Sequence, residues 1–262
     1  MTRGRQKKVS GAALVTGAAR RIGRAIAGDL AAAGWPVVIH HFESEDEAQS
    51  LVAEIDAAGG HACAIAADLC QPAAVEELMG AAWDAMGPIT CLINNASLFE
   101  HDSLETVTAK SWDAHMAINL RAPMLLSRDF ARRLTERAPD RPGNIINLLD
   151  QRVWKLTPRF LSYTVSKTGL WTLTRTLAQA LAPTIRVNAI GPGPTLKSRR
   201  QSEAHFEAQV KSLPLARATT PDEICRAVRF ILEMPSLTGQ MLALDGGQHL
   251  AWQTPDMIAI RE

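Results

Sequence analysis

Tyrosine and the other aromatic residues are scarce in this sequence. Tyr163 is the only tyrosine among 262 residues, and aromatic residues make up 5% of the chain. Apolar residues still reach 47%, and 28 Lys and Arg almost balance 27 Asp and Glu. A chain of this length and apolar content can bury a large core, which argues against intrinsic disorder. The near-zero net charge argues against partners that need a basic face, namely nucleic acids and anionic membranes.

Cysteines and long hydrophobic runs are lacking too. The four cysteines form no CxxC pair and show no metal-ligand spacing, as is typical of free thiols in a reducing cytosol. The basic residues 1–8 precede an apolar run, 12–15, that is too short for a signal peptide. No run approaches the ~18 apolar residues of a membrane span. We therefore expect a cytoplasmic protein without a metal site that acts on a small molecule.

Short apolar runs alternate with helical patterns along the chain. Seven runs are predicted to be buried strands: 12–15, 37–39, 61–67, 89–94, 144–149, 185–190 and 241–244. Because these runs are continuously apolar, they favour a parallel sheet that is covered on both faces. The pattern predicts an α/β fold, a three-layer, doubly wound Rossmann fold with a seven-stranded parallel sheet.

Capping-box patterns mark two helix starts. Ser44 with Glu47, and Thr220 with Glu223, each place a hydroxyl residue three positions before a glutamate. This spacing predicts reciprocal hydrogen bonds between side chain and backbone. We expect a helix to begin directly after Ser44 and another after Thr220.

The predicted domain organisation is simple. We find no repeat, linker or change of composition, so residues 1–262 are predicted to form a single domain. Residues 1–9 are expected to be a flexible N-terminal tail. Residues from about 194 to 213 lack periodicity and are expected to be a mobile loop near the substrate.

A glycine-rich turn follows the first predicted strand. Thr16-Gly-Ala-Ala-Arg-Arg-Ile-Gly23 leads directly into a helix, and such a helix N-terminus suits the pyrophosphate of a dinucleotide. Gly17 and Gly23 resemble the Thr-Gly-x-x-x-Gly-x-Gly turn of the short-chain dehydrogenase/reductase family, with Arg21 in place of the middle glycine. An arginine at this point is similar to the pteridine-reductase branch. The resemblance implies that Arg21 lies beside the pyrophosphate and the substrate.

The end of the second strand bears on the choice of nicotinamide cofactor. A carboxylate there normally holds the adenosine ribose of NAD, but this chain has His40. Arg20 stands where NADP-dependent relatives often carry a basic residue, and Ser44 could donate to the 2′-phosphate. Glu43 would oppose that phosphate. We expect NADP(H), with NAD(H) as the alternative.

Three further segments resemble cofactor-contacting parts of the family. Asp68-Leu69 resembles its adenine-contacting pair, Asn94-Asn-Ala-Ser97 its Asn-Asn-Ala-Gly segment, and Gly191-Pro-Gly-Pro-Thr195 the Pro-Gly segment beside the nicotinamide amide. With the turn and the residues that favour NADP(H), the expected cofactor contacts are Gly17, Arg20, Arg21, Ile22, Gly23, His40, Ser44, Asp68, Leu69, Asn95, Ala96, Ser97, Tyr163, Lys167, Pro192, Gly193 and Thr195.

The lone tyrosine falls in the motif Tyr163-Thr-Val-Ser-Lys167. This spacing places phenol and ammonium on one face of a helix, where we expect Lys167 and an oxidised nicotinamide ring to lower the pKa of the phenol from its usual ~10. The resemblance implies that Lys167 also holds the nicotinamide ribose, and that Asn119 holds a water in a proton relay. Asp150 lies thirteen residues before Tyr163, where the family usually has serine and pteridine reductases have aspartate. A carboxylate there suits a substrate that bears N–H groups or needs a proton at nitrogen.

The resemblance extends to the substrate. Phe99 looks like the pteridine-reductase phenylalanine that stacks on one face of the pterin. The expected substrate contacts are Arg21, Ser97, Phe99, Asp150 and Tyr163, and the expected catalytic residues are Asn119, Asp150, Tyr163 and Lys167. The first hypothesis is an NADPH-dependent short-chain reductase, a homotetramer as its relatives commonly are, which transfers hydride to a small pteridine-like or dihydrofolate-like acceptor.

Two other hypotheses stay open. One is a carbonyl or hydroxyl oxidoreductase acting on a ketone, a sugar or an acyl thioester, and the charge of Asp150 weighs against it. The other is a catalytically silent nucleotide-binding regulator. A silent protein has no chemical need for Asn119, Tyr163 and Lys167 together.

Overall fold

One parallel sheet of seven strands forms the centre of the protein, within residues 11–198 and 200–252 that the computed structural model describes. The strands are β1 (Ala12–Val15), β2 (Val37–His41), β3 (Ala62–Ala66), β4 (Ile89–Asn94), β5 (Gly143–Leu148), β6 (Ile185–Pro192) and β7 (Met241–Leu244). Their order is β3-β2-β1-β4-β5-β6-β7, so the winding reverses between β1 and β4, where sheets of this kind bind ligands. The predicted Rossmann fold is confirmed. The predicted tail, residues 1–9, lies outside the described residues.

Helices cover both faces of the sheet. They are α1 (Arg21–Ala32), α2 (Glu45–Ala57), α3 (Pro72–Met86), α4 (Ala109–Met116), α5 (Ala122–Arg137), α6 (Leu161–Ala180), α7 (Glu203–Lys211) and α8 (Pro221–Glu233), with a π-helical turn at Ala117–Arg121 and 3₁₀ turns at Gln151–Val153 and Gln248–Leu250. Buried side chains of α1, α2 and α8 contribute to one hydrophobic core, and those of α3, α5 and the end of α6 contribute to a second. A third, smaller cluster joins Leu170 of α6 to Leu149, Ala189 and Met241. In the described part of the chain, no helix is both long and apolar enough to span a membrane.

The two predicted capping boxes differ in outcome. At the start of α8, Thr220 Oγ1 accepts from the Glu223 N–H at 3.2 Å, and Glu223 Oε2 accepts from the Thr220 N–H at 2.9 Å. At the start of α2 the reciprocal bonds are absent, although the helix begins directly after Ser44 as predicted. Ser44 instead donates its hydroxyl to the Phe42 carbonyl at 3.3 Å, because the chain turns sharply between them.

The segment 194–213 is not a structureless loop. It contains α7, which begins after Ser202, whose Oγ accepts from the His205 N–H at 3.2 Å. None of the residues of α7 is buried. A helix without a buried face needs no apolar stripe, which is why the periodicity of the sequence did not reveal it.

A chain of buried hydrogen bonds fastens α6 to the sheet. Asn94, at the end of β4, donates from Nδ2 to Oδ1 of Asn147 on β5 at 2.8 Å. Asn147 in turn donates from Nδ2 to Oγ1 of Thr174 on α6, also at 2.8 Å. All three side chains are buried, so these bonds satisfy polar groups that water does not reach. The position of α6 against β4 and β5 depends on them.

Replacing Thr174 with valine should lower the free energy of unfolding by about 1–3 kcal/mol, because Nδ2 of Asn147 would remain buried without this acceptor. Thr172 lies on the same helix but is exposed, and Thr172→Val should change stability by less than about 0.5 kcal/mol. Chemical denaturation of both variants measures the difference. Equal losses in the two variants would contradict the role given to this bond.

Candidate active site

A cavity of about 510 Å³ opens between the turn after β1 and the ends of β2, β3 and β4. Twelve of the expected cofactor contacts line it: Gly17, Arg20, Arg21, Ile22, Gly23, His40, Ser44, Asp68, Leu69, Asn95, Ala96 and Ser97. The sequence reasoning missed five lining residues: Ala19, His41, Phe42, Cys70 and Ile118. The first four lie within two positions of an expected cofactor contact, and Ile118 adjoins the expected catalytic residue Asn119. The remaining expected contacts lie outside this cavity: Tyr163, Lys167, Pro192, Gly193 and Thr195. Within the described ranges, no group of three His, Cys, Asp or Glu is placed to hold a metal ion.

The glycine-rich turn is held by close backbone contacts. Gly17 has a φ of 60°, and a Cβ atom on Gly23 would lie 2.3 Å from the Gly17 carbonyl oxygen, so both positions need glycine. Asn95 closes the turn by donating from Nδ2 to the carbonyls of Thr16 and Gly17, at 2.8 and 3.1 Å. Arg21 also has a left-handed φ, of 54°. This conformation favours glycine, which is the residue that the family pattern has at the place of Arg21.

The ring of His40 forms hydrogen bonds with backbone groups at the edge of the cavity. Its Nδ1 accepts from the Gly17 N–H at 3.0 Å, so this nitrogen carries no proton, and Nε2–H donates to the Ala67 carbonyl at 3.0 Å. Burial lowers the pKa of His40 to about 4, which keeps the ring neutral. Both ring nitrogens are therefore used to join the turn after β1 to the end of β3.

Arg20 and Ser44 lie at the end of the cavity where the 2′-phosphate was expected. The guanidinium of Arg20 pairs with the Glu47 carboxylate at 2.5 Å, and both side chains are about two-fifths exposed. Glu43, which was expected to oppose a phosphate, has a left-handed φ of 52°. Its neighbours Phe42 and Ser44 line the cavity while Glu43 does not. Glu43 itself is therefore not part of the cavity lining.

The segment after β6 is tied to the glycine-rich turn. Arg21 donates from its guanidinium to the carbonyls of Leu196 and Lys197, at 2.9 and 3.0 Å. A Cβ atom on Gly193 would lie 2.7 Å from Cα of Asp245, so glycine lets this segment run close to the end of β7. The expected cofactor residues of the segment therefore lie beside the turn, although outside the cavity.

Asp150 and Tyr163 form the centre of the candidate active site. The Tyr163 hydroxyl donates to Oδ2 of Asp150 at 3.0 Å, which joins the end of β5 to α6. Burial raises the pKa of Tyr163, and the Asp150 charge and hydrogen bond raise it further, well above its usual range. Burial also raises the pKa of Asp150. Lys167 is not among the groups that shift this pKa, and the phenol stays protonated at neutral pH.

Lys167 lies one helical turn after Tyr163, as the spacing predicts. Its Nζ donates to the Leu148 carbonyl at 2.7 Å and lies 5.8 Å from the centroid of the Tyr163 ring. Burial lowers the pKa of Lys167 to about 8. Its positive charge therefore weakens in mildly alkaline solution, and Lys167 is not among the groups that shift the pKa of Tyr163.

Asn119 sits in the π-helical turn between α4 and α5, a type of insertion that is frequent at functional sites. Its Oδ1 accepts from the Leu98 N–H at 2.8 Å, and its Nδ2 donates to the Leu98 carbonyl and to Ser166 Oγ, at 2.9 and 3.0 Å. The side chain therefore fixes the segment that carries Ser97 and Phe99.

Phe99 belongs to an aromatic group that the sequence did not reveal. Its ring stacks on that of Phe160 with centroids 4.5 Å apart and an interplanar angle of 8°, and it meets the Tyr163 ring edge-on at 4.7 Å. Phe160 has a left-handed φ of 59°, a strained conformation for a bulky residue that is typical of functional sites. The one feature of the sequence that pointed to Phe160 as part of the site was its position three residues before Tyr163.

Asp102 caps α6 from a distant part of the chain. Its carboxylate accepts from the Ser162 hydroxyl at 2.5 Å and from the Ser162 N–H at 3.2 Å, and its carbonyl accepts from the Phe160 N–H at 2.8 Å. The helix has no cap of its own at Phe160. The start of the helix that carries Tyr163 is thus fixed by the loop that carries Phe99.

The whole chain is similar to known oxidoreductases. A sequence model of the family described as "Enoyl-(Acyl carrier protein) reductase" matches residues 17–249. The crystal structure of FolM alternative dihydrofolate reductase 1 from Brucella canis, complexed with NADP, is 52% identical with a TM-score of 0.92, covering 97% of this chain and 99% of that one. A short-chain dehydrogenase from Burkholderia cenocepacia in complex with NADP is 33% identical with a TM-score of 0.85, covering 94% of this chain and 100% of that one. The 3-oxoacyl-[acyl-carrier-protein] reductase of Synechocystis is 32% identical over 239 residues, which are 90% of this chain and 95% of that protein.

The Asp150→Asn variant should lower the pKa of Tyr163, because it removes the negative charge beside the phenol and leaves the burial unchanged. Phenolate absorbance measured against pH reports this pKa directly, since Tyr163 is the only tyrosine of the chain. Tyr163→Phe supplies the blank. The exposed Asp140 supplies a control, Asp140→Asn, which removes the same charge elsewhere. A midpoint that stays at the wild-type value in Asp150→Asn would contradict the assigned cause.

Proposed function

The chain belongs to the short-chain dehydrogenase/reductase family, and from that premise we propose that it uses NADPH to reduce a small acceptor of the pteridine or dihydrofolate type. The observation that carries this proposal is the hydrogen bond between Tyr163 and Asp150. It sets a carboxylate beside the proton donor, where an N–H-bearing heterocycle is a better partner than a ketone oxygen. The similarity to the Brucella FolM protein supports the same substrate class.

The residues around the cavity fit a dinucleotide phosphate. α1 begins without an N-cap side chain, so its first amides and the positive end of its dipole are available to a pyrophosphate. Arg20 and Ser44 line the end of the cavity where a 2′-phosphate would be held. The neutral, buried His40 keeps the Gly17 turn in place. When bound there, NADPH supplies the hydride of the reduction.

Tyr163 is the proposed proton donor of this reaction. Its phenol stays protonated because burial and Asp150 raise its pKa, and Asp150 fixes the direction of its O–H bond. Asp150 also offers carboxylate oxygens to the N–H groups of an acceptor. Phe99, stacked on Phe160, provides an apolar aromatic wall for a planar ring. Lys167 and Asn119 complete the proposed catalytic set. Lys167 is a positively charged support of α6, and Asn119 is a polar support of the segment after β4.

The test is NADPH oxidation with dihydrobiopterin, dihydrofolate, a panel of ketones and an acetoacetyl thioester. We expect turnover of the dihydropterins. Tyr163→Phe should reduce it about 100-fold or more, because the proton donor is lost. Asp150→Ala should reduce turnover of pterins strongly, since both the orienting bond and the substrate contact disappear. Unchanged pterin turnover in Asp150→Ala would exclude the role given to this residue.

Reduction of a ketone or a 3-oxoacyl thioester is the second candidate function. It is favoured by the similarity to the Synechocystis 3-oxoacyl-[acyl-carrier-protein] reductase. The carboxylate of Asp150 weighs against it, because an ionised carboxylate repels a carbonyl oxygen on which negative charge develops. Turnover of the thioester but not of the pterins would select this function. Cofactor binding without turnover of any acceptor would select the silent regulator instead.

Arg20→Glu should raise the KM for NADPH at least about tenfold more than the KM for NADH, which corresponds to about 1.4 kcal/mol. The reason is that a carboxylate at the cavity edge repels a 2′-phosphate that NADH does not have. Arg141 is exposed before β5, at the opposite edge of the sheet, and Arg141→Glu should leave both constants unchanged. Glu47→Gln frees the Arg20 guanidinium and should not weaken NADPH binding. Equal changes for both cofactors in Arg20→Glu would overturn the preference for NADP(H).

Two further parts of the proposal concern the oligomeric state and the cellular location of the enzyme. A homotetramer is expected because relatives commonly assemble in that way, and a cytoplasmic location is expected from the free thiols and the short apolar runs. The described residues include four free cysteines: Cys63, Cys70, Cys91 and Cys225. Both expectations are tested by sedimentation of the purified protein and by fractionation of the cells that make it.

A further inference from the structure

Arg152 lies next to the proposed catalytic pair but has no part in the chemistry described so far. It stands in the 3₁₀ turn Gln151–Val153. Its backbone N–H donates to Oδ1 of Asp150 at 2.8 Å, and its side chain folds back so that Nε lies 3.9 Å from the same oxygen. The other carboxylate oxygen, Oδ2, accepts the Tyr163 hydroxyl. The carboxylate is therefore held between Arg152 on one side and the phenol on the other.

The guanidinium of Arg152 is fixed from several directions. Its Nη1 donates to Thr157 Oγ1 at 3.0 Å, and its central carbon lies 4.8 Å from the centroid of the Phe160 ring and 5.9 Å from that of Phe99. Its side chain is 16% exposed. Cation–π contacts strengthen when the cation is shielded from water, so this position is favourable for a permanent charge. The stacked pair of rings thus also serves as the platform for Arg152.

The position of Arg152 matters because of the negative charge on Asp150. Among the described residues, Arg152 and Lys167 are the positive groups that act on Asp150. Burial lowers the pKa of Lys167 to about 8, whereas a guanidinium remains charged at every pH at which the protein is folded. Arg152 also lowers the pKa of Tyr163, against the effect of Asp150. Among the described residues, Arg152 is the cation that lowers the pKa of both members of the pair.

We propose that Arg152 is a positioning residue, which holds the Asp150 carboxylate against the Tyr163 hydroxyl and supplies the permanent positive charge that balances it. The effect of Arg152 on the reduction rests on the proposed function. The balance of charge between Arg152 and Asp150 is present in the protein with or without an acceptor. Arg152 transfers no proton and acts through Asp150. A residue that only packed against Phe99 and Phe160 would stabilise the fold without affecting either titration.

The first experiment is the pH profile of kcat/KM for dihydrobiopterin in the wild type, Arg152→Met and Arg152→Lys. Methionine keeps the length and the apolar contacts of the side chain but not its charge. In Arg152→Met, the acid limb should move to higher pH, because an unbalanced buried carboxylate protonates more readily. At neutral pH, kcat/KM should fall roughly tenfold, as expected when a charged hydrogen-bonding partner is lost. Arg152→Lys should restore the acid limb towards its wild-type position.

A second readout does not need turnover. In the Asp150→Asn background, where the phenol titrates at lower pH, adding Arg152→Met should raise the midpoint of the phenolate absorbance, and adding Arg152→Lys should not. The exposed Arg159 lies in the same segment, and Arg159→Met should move neither readout. The rise in the phenolate midpoint expected from Arg152→Met is opposite to the fall expected from Asp150→Asn alone. A general change in stability therefore cannot imitate it.

Two results would overturn the proposal. The first is an Arg152→Met variant with a lower melting temperature but an unchanged acid limb and phenolate midpoint, which would make Arg152 a packing residue. The second is an Arg152→Lys variant that behaves like Arg152→Met in both readouts, which would show that the charge is not what matters. If the wild type turns over no dihydropterin, the proposed function fails, and the phenolate midpoints still decide the charge balance at Arg152.

Discussion

Every strand of the sheet runs in the same direction, and this constraint brings the functional segments of the chain to one edge. The turn at Gly17 follows β1, His40 lies near the end of β2, Asn94 ends β4 and Asp150 follows β5. None of these residues is near another in the sequence. Helices packed on both faces bury the apolar side chains and supply the stability of the fold. The carboxyl edge is therefore free to carry polar groups and glycines that contribute little to the core.

Burial then sets the chemistry of those polar groups. Removing water favours the neutral form of each one: burial raises the pKa of Asp150 and of Tyr163, and lowers that of Lys167 to about 8. A protonated phenol that donates to a carboxylate at 3.0 Å is an arrangement that keeps its proton. It is less suited to a resting phenolate. The remaining charge on Asp150 has to be balanced nearby, and Arg152 lies where it can do so.

The supports of the site come from loops that are far apart in the chain. Asp102 caps the helix that carries Tyr163, and Asn119 holds the backbone of Leu98, so the loop after β4 and α6 form one unit. Arg21 ties the segment after β6 to the glycine-rich turn in the same way. A change in any one of these loops therefore reaches the cofactor cavity and the proposed catalytic pair together.

The sequence by itself determined the sheet, the glycine-rich turn and the spacing of Tyr163 and Lys167, because continuous apolar runs and fixed spacings are local patterns. It also predicted most of the residues around the cavity, through resemblance to a family whose motifs are local as well. It did not reveal α7, which has no buried face, or the bond that turns Ser44 away from its helix. Only the tertiary structure brought Asp102 to Ser162 and Arg152 to Phe99, because these residues become neighbours when the chain folds. It alone decided that the pKa of Tyr163 rises, since desolvation is a property of the folded interior and not of the four residues that separate a tyrosine from a lysine.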